Sequence, residues 1–115
     1  MSAVQTIDAA TLNDWIGKGE VLLIDVREIN EHARAHIPAA VLMPLSGLSS
    51  AELPDAGGRK IAVVCATGAR SAMAAERLFA HHYDSVYNVH GGMMGWQMAG
   101  LGVAQGDGTV TAFPG

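Results

Sequence analysis

Cys65 is the only cysteine in the chain, and Arg70 follows it at C-x4-R spacing within "VVCATGARSA", Val63 to Ala72. A lone thiol serves either as a small buried hydrophobe or, ionised, as a nucleophile. Here the neighbours favour the nucleophile. An apolar run leads into Cys65 and a helix-forming run leaves Ser71, so the thiol stands where a strand passes into a helix. Ala66, Thr67, Gly68 and Ala69 are small enough for a tight turn whose backbone N–H groups point inward as an anion-binding nest. The start of the following helix adds its positive end. Such a setting brings a thiol from about 8.5 down to roughly 3.5–7.5. Cys65 is therefore expected to be mostly thiolate at neutral pH, held by loop N–H donors and ready to attack. Arg70 either closes the loop by bonding its carbonyls or faces an incoming anion; the sequence leaves both open.

Spacing weighs against two other loop chemistries. A nucleotide P-loop needs G-x-x-x-x-G-K-[ST], and the chain has no such run. Cysteine phosphatases carry C-x5-R, usually with a histidine before the cysteine. This loop is one residue shorter and Val64 precedes Cys65. The smaller ring suits one extra sulfur atom on Cys65 better than a tetrahedral phosphate.

The elements that must position this loop alternate along the chain. "VQTI" reads as a first strand. Asp8 caps a helix over "AATLNDWIGKG", with Leu12, Trp15 and Ile16 on one face and Gly17 or Gly19 at its end. "VLLIDV" is a nearly continuous apolar strand, as one covered on both faces should be. "REINEHARAH" is a short exposed helix stopped at Pro38, and "AAVLMPL" a third strand ended by Pro44. A short helix capped by Ser49 or Ser50, then a glycine turn, is expected over "SSAELPDAGG". "KIAVVC" is the fourth strand, "RSAMAAERLFAHHY" the strongest helix and "SVYNV" the fifth strand. "GGMMGWQMAG" is a glycine turn with a short helix. From residue 103, "VAQGDGTVTAFPG" reads as a Gly-rich surface tail after a single domain over 1–102. Strands alternating with helices imply an α/β fold, a parallel sheet wrapped on both sides, with ligands beyond the C-terminal strand ends. Asp25 and Arg27 end one such strand and Cys65 another.

With 115 residues the chain fits one domain, and half of them are apolar, enough for a core without disulfides. The formal charge is −4 with no Lys/Arg run, which weighs against nucleic acid or an anionic membrane as partner. Neither a membrane-spanning stretch nor a secretory leader is visible, so a cytoplasmic location is expected.

The motifs together resemble the rhodanese-like sulfurtransferases, over nearly the whole chain to Leu101. "LIDVREINEHARAHIPAAVLMPL" is similar to the family's D-V-R-E … E … H-I-P-G-A … P-L block, "VVCATGARSAMAA" to its C-x-x-G-x-R-S active loop, and "VYNVHGGMMGWQMAGL" to its closing G-G … W … G-L segment. The resemblance implies five parallel strands flanked by helices and a persulfide carried on Cys65. Two departures stand out. Ala35 and Ala39 replace customary glycines, which should alter only a turn. Ala66 and Ala69 stand where many thiosulfate-using members carry charged or bulkier residues, which bears on the donor.

The expected activity is transfer of a sulfane sulfur from thiosulfate or another persulfide donor to a thiol or cyanide, with Cys65 as nucleophile and Ala66, Thr67, Gly68, Ala69 and Arg70 around the bound sulfur. The acceptor thiol can belong to a small molecule or a protein. No metal or organic cofactor is required, and a monomer suffices, although the sequence does not set the oligomeric state. The alternatives are a non-enzymatic persulfide carrier or protein-interaction module and, less in keeping with the short loop, an arsenate- or phosphate-handling cysteine enzyme. Asp25, Arg27, Glu28 and Glu31 read as an ion-pair network fixing the segment beside the loop rather than as substrate ligands. His32 and His36 lie at i, i+4, but in a short segment before Pro38, so a metal is not expected there. His81 and His82 read as a solvated helix end, and His90 as a bystander. Met93, Met94, Met98 and Trp96 fit equally an apolar rim at the site and core packing.

Overall fold

A computed structural model describes residues 4–48, 53–106 and 109–111. Strands β1 (Val4–Ile7), β2 (Val21–Asp25), β3 (Val41–Leu42), β4 (Lys60–Val64) and β5 (Val86–Val89) form one sheet in the order β1-β5-β4-β2-β3. Every neighbouring pair is parallel. The central pair, β2 and β4, is the most apolar, because side chains on both of its faces are covered. Their register sets Asp25 opposite Val64, and Val26 N–H bonds the Val64 carbonyl at 3.0 Å. The ends of β2 and β4, and with them Asp25 and Cys65, therefore lie side by side.

Alternate residues of these strands feed two cores, as a period of two requires. On one face Leu23, Ala62, Val64 and Val89 pack with Leu12 of α1 (Ala9–Lys18) and with Met93 and Trp96 of α5 (Gly92–Met98). On the other, Leu22, Ile24, Ile61, Val63 and Val86 pack with Ala74 of α3 (Ala69–Ala74) and with Ala75 and Phe79 just beyond it. Asp8 caps α1 by accepting from Thr11 N–H at 2.8 Å, and Gly19 ends it in the left-handed conformation. No helix of the described residues is long and apolar enough to cross a membrane.

Three expectations change in detail. Strand β3 shrinks to two residues at the sheet edge, since only Val41 and Leu42 meet β2 before the chain turns away toward Pro44. The strong helix runs from Ala69 to His82 but passes through a π turn, Ala75–Phe79, before its last α turn, α4 (Ala80–His82). The surface tail expected from residue 103 does not describe Val103 and Ala104, which are buried. They lie in β6 (Val103–Gln105), antiparallel to β7 (Thr109–Thr111), and Ala104 bridges His36 through bonds of 2.7 and 2.9 Å. Two apolar residues are too short a run to signal a strand; the backbone of His36 supplies the pairing. The helix expected over "SSAELPDAGG" falls partly on residues 49–52, outside the described residues. Residues 53–56 are irregular and Gly57–Gly58 form a turn.

Candidate active site

Cys65 follows directly on β4 and is 1% exposed. Gly68, at φ +107 where a side chain would be strained, turns the chain so that its own N–H donates to Cys65 Sγ at 3.1 Å. Ser71 Oγ lies 3.3 Å from the same sulfur. Burial pushes the Cys65 thiol up, but the Ser71 hydroxyl and the amides of Ser71, Gly68 and Thr67 outweigh it and bring it below its ordinary value. Of the loop amides expected to form a nest, the Gly68 N–H bonds the sulfur and the Thr67 N–H acts on it, with the Ser71 N–H joining from the first turn of α3.

The Ser71 hydroxyl has one proton and three acceptors in reach: Sγ, the Gly68 carbonyl at 3.2 Å and Asn88 Oδ1 at 2.6 Å. Asn88 Nδ2 donates to the Gly68 carbonyl at 3.2 Å, which leaves Oδ1 to accept the Ser71 proton while Cys65 is a neutral thiol. Ionised sulfur is the stronger acceptor, so loss of the thiol proton turns the hydroxyl toward Sγ. Neither Ser71 nor Asn88 was singled out from the sequence. The signal for Ser71 was its place one helical turn beyond Gly68. Asn88, on the neighbouring strand β5, gave none.

The turn before α5 locks the loop from outside. Met93 N–H donates to the Cys65 carbonyl at 2.8 Å and Met94 N–H to the Ala66 carbonyl at 3.1 Å. These bonds need the backbones in contact. A Cβ on Gly92 would come within 2.3 Å of the Cys65 carbonyl oxygen and 2.8 Å of Ala66 backbone atoms.

The charged residues form two ion pairs beside the loop. Arg27 is 6% exposed and lies on the fully buried Asp25, with Nε 3.0 Å from Oδ1 and Nη2 2.8 Å from Oδ2. Arg27 Nη2 also donates to the Ala35 carbonyl at 2.7 Å, tying the end of α2 (Ile29–Arg34) to the sheet. Arg70 neither bonds the loop carbonyls nor stands free for an anion. Its two terminal nitrogens hold Glu31 of α2 at 2.7 and 2.8 Å. The Arg70 bond holds the Glu31 carboxyl down to about 2, with the Glu28 N–H assisting; Arg70 in turn is raised. Glu28 takes the Ser46 hydroxyl at 2.7 Å. Of the expected ion-pair network, Asp25 pairs with Arg27 and Glu31 pairs with Arg70, whereas no ion pair among the described residues includes Glu28.

Ala66 is half-buried, and Thr67 and Ala69 are exposed at the mouth. The methionines divide. Met93 and Trp96 are core, whereas Met94 and Met98 are 57% and 82% exposed beside Thr67. The His32 and His36 rings stack with centroids 3.6 Å apart, and His36 Nδ1 is paired with the His32 carbonyl at 2.8 Å. His81 and His82 are exposed at a helix end, and exposed His90 borders a groove beside Thr67.

The rhodanese-like domain profile matches residues 8–99. A sulfurtransferase of Allochromatium vinosum is 33% identical over 91% of this chain and 99% of its own length. An uncharacterised protein of Synechocystis is 34% identical over 84% of this chain, which spans only 54% of that protein. The crystal structure of a rhodanese-related protein from Thermoplasma volcanium superposes with a TM-score of 0.75 at 33% identity, covering 87% of this chain and 97% of the other. The order of motifs, the parallel sheet and the cysteine loop agree with these matches: the chain belongs to the rhodanese-like family.

Proposed function

We propose that the protein is a sulfurtransferase acting through a persulfide on Cys65. The observation that carries this reading is the acidified, almost wholly buried Cys65 sulfur on the Gly68 N–H. The Cys65 thiolate attacks the terminal sulfur of a donor such as thiosulfate. The donor's S–S bond breaks and its electron pair leaves with sulfite, or with a thiolate when the donor is a persulfide. The transferred sulfur remains as Cys65–S–S⁻, its charge on the outer sulfur stabilised by the loop N–H groups from Ala66 to Arg70, while the Gly68 amide and the Ser71 hydroxyl hold Sγ. An acceptor, cyanide in an assay or a thiol in the cell, then attacks the outer sulfur and returns the electron pair to Cys65. The two half-reactions require ping-pong kinetics, and neither consumes an oxidant, metal or organic cofactor.

Burial supports the same reading. A sulfur this enclosed is reached most easily by a narrow terminal atom, which a sulfane donor presents and a phosphate ester does not. A single thiol also fits a reducing compartment, and we place the reaction in the cytoplasm. The test is intact mass after incubation with thiosulfate, followed by cyanide-dependent release of thiocyanate. The wild-type chain should gain one sulfur atom and lose it to cyanide over many turnovers; Cys65→Ser should do neither while remaining folded. Turnover by Cys65→Ser near the wild-type rate would refute the assignment. Loading without repeated turnover would favour a carrier over an enzyme.

A further inference from the structure

A groove of about 390 Å³ runs between the cysteine loop and α5, lined by Ala66, Thr67, Met93, Met94, Gln97 and Met98. Among the described residues Arg27 is the one charged residue bordering it, and Asp25 matches that charge at 2.8 Å. A second groove of about 450 Å³ shares Thr67, Met94 and Met98 from the other side. Met98 is the most exposed large apolar side chain among the described residues. Two methionines facing water beside the loop that holds the reactive sulfur mark a surface suited to apolar ligands, because the unbranched thioether adapts to their shape. Arg70, the cation that could have drawn an anion to the loop, is held by Glu31 through both terminal nitrogens. A dianion arriving here finds the charges of Arg27 and Arg70 already matched, whereas an apolar body finds a continuous wall leading to Ala66 and Thr67.

We infer that this groove is the subsite for the body of the sulfur donor. It selects donors whose terminal sulfur is carried on an apolar alkyl or aryl group over the thiosulfate dianion. Glu31 is a positioning residue that withholds Arg70 from anions. The inference rests on the sulfur-transfer reading and specifies its substrate class. With a thiosulfonate, R–SO₂–S⁻, the Cys65 thiolate attacks the terminal sulfur, the S–S bond breaks, and the pair leaves with the sulfinate R–SO₂⁻. The total charge is −2 on each side.

The test is a donor series in which only R changes: thiosulfate (R is O⁻), methanethiosulfonate and benzenethiosulfonate, with cyanide as acceptor. The first step removes one charge at nearly constant size, and the second adds apolar area. In the wild-type protein kcat/KM should rise at the first step, and by about tenfold or more at the second if the ring is buried in the groove. Met94→Gln combined with Met98→Gln changes two exposed positions and should collapse the benzene-to-methane ratio. Glu31→Gln keeps Oε1 for the Glu28 N–H and Arg70 Nη1 but removes the carboxylate charge and the oxygen that holds Arg70 Nη2, leaving the Arg70 charge unmatched, and should lower the KM for thiosulfate several-fold; Glu31→Asp, which keeps the charge, should restore the wild-type preference. A gain toward one donor is not what damaged folding produces. A wild-type benzene-to-methane ratio near one, or one indifferent to the methionine pair, would overturn the subsite. An unchanged or raised thiosulfate KM in Glu31→Gln would overturn the positioning role. Intact mass separates the levels: sulfur loaded equally well from all three donors removes the subsite alone, and no sulfur loaded from any donor removes the transfer reading with it.

Discussion

Replacing Gly92 by alanine tests how the loop is held. The new Cβ would sit 2.3 Å from the Cys65 carbonyl oxygen, about 1 Å inside even a close C···O contact. The atoms it meets are backbone, so no side-chain rotation relieves the clash. Relief requires α5 and the loop to separate, which removes the bonds from Met93 N–H to the Cys65 carbonyl and from Met94 N–H to the Ala66 carbonyl. Each lost bond costs about 1 kcal/mol, more where the carbonyl is left buried. The left-handed φ of +54 adds about 1–2 kcal/mol for an L side chain. The sum is about 3–5 kcal/mol, a large share of a typical 5–15 kcal/mol stability. Gly91→Ala is the control. Its φ of +76 carries similar strain, but its Cβ meets only Gly95, with Cα at 3.3 Å and N at 3.6 Å, so about 1–2 kcal/mol is expected. Urea unfolding gives both values, and sulfur loading by intact mass should fall far more in Gly92→Ala. Equal destabilisation of the two variants, or full loading by Gly92→Ala, would refute the account of the turn as a backbone lock.

Ser71→Ala should raise the Cys65 pKa, because a donor to the thiolate is lost while the Gly68 N–H remains; the pH profile of iodoacetamide alkylation should move to higher pH. Asn88→Ala frees the Ser71 proton from its 2.6 Å partner and should move that profile the opposite way, provided the loop keeps its fold by circular dichroism. Glu31 titrates at about 2 in the fold against about 4.3 in an unfolded chain, so its folded pKa is depressed. The stability it contributes is present above about pH 4.3 and is lost as pH falls toward 2. Urea midpoints measured over that window should fall less steeply in Glu31→Gln than in the wild-type protein.

Much of this arrangement was legible in the sequence where the signal was local. Strands β2 and β4 announced themselves as unbroken apolar runs, because both their faces are covered. Helix α1 carried its cap at Asp8 and its stop at one of two glycines, Gly17 or Gly19, of which the structure uses Gly19. Cys65 was placed at a strand end by the runs on either side of it. What escaped depends on partners far apart in the chain. Glu31 and Arg70 are 39 residues apart, so the sequence offered two uses for Arg70 and neither was its pairing with α2. Asn88 sits in an ordinary-looking strand and matters only because β5 neighbours β4. The methionines of α5 could not be divided without knowing which side of that short helix meets the sheet.

The shortness of the sheet's outer strands has a consequence for self-association. Both margins, β1 with four residues and β3 with two, offer little backbone for another chain to extend. Gln5 and Thr6 put exposed polar side chains along one margin, and Pro44, which lacks an N–H, follows closely on the other. Among the described residues, continuous β-pairing between copies has four residues of template along β1, and on the other side β3 covers β2 only at Ile24 and Asp25. Strand β4, apolar but for Lys60, is paired on both sides, with β2 and with β5, and exposing it requires unfolding rather than fraying.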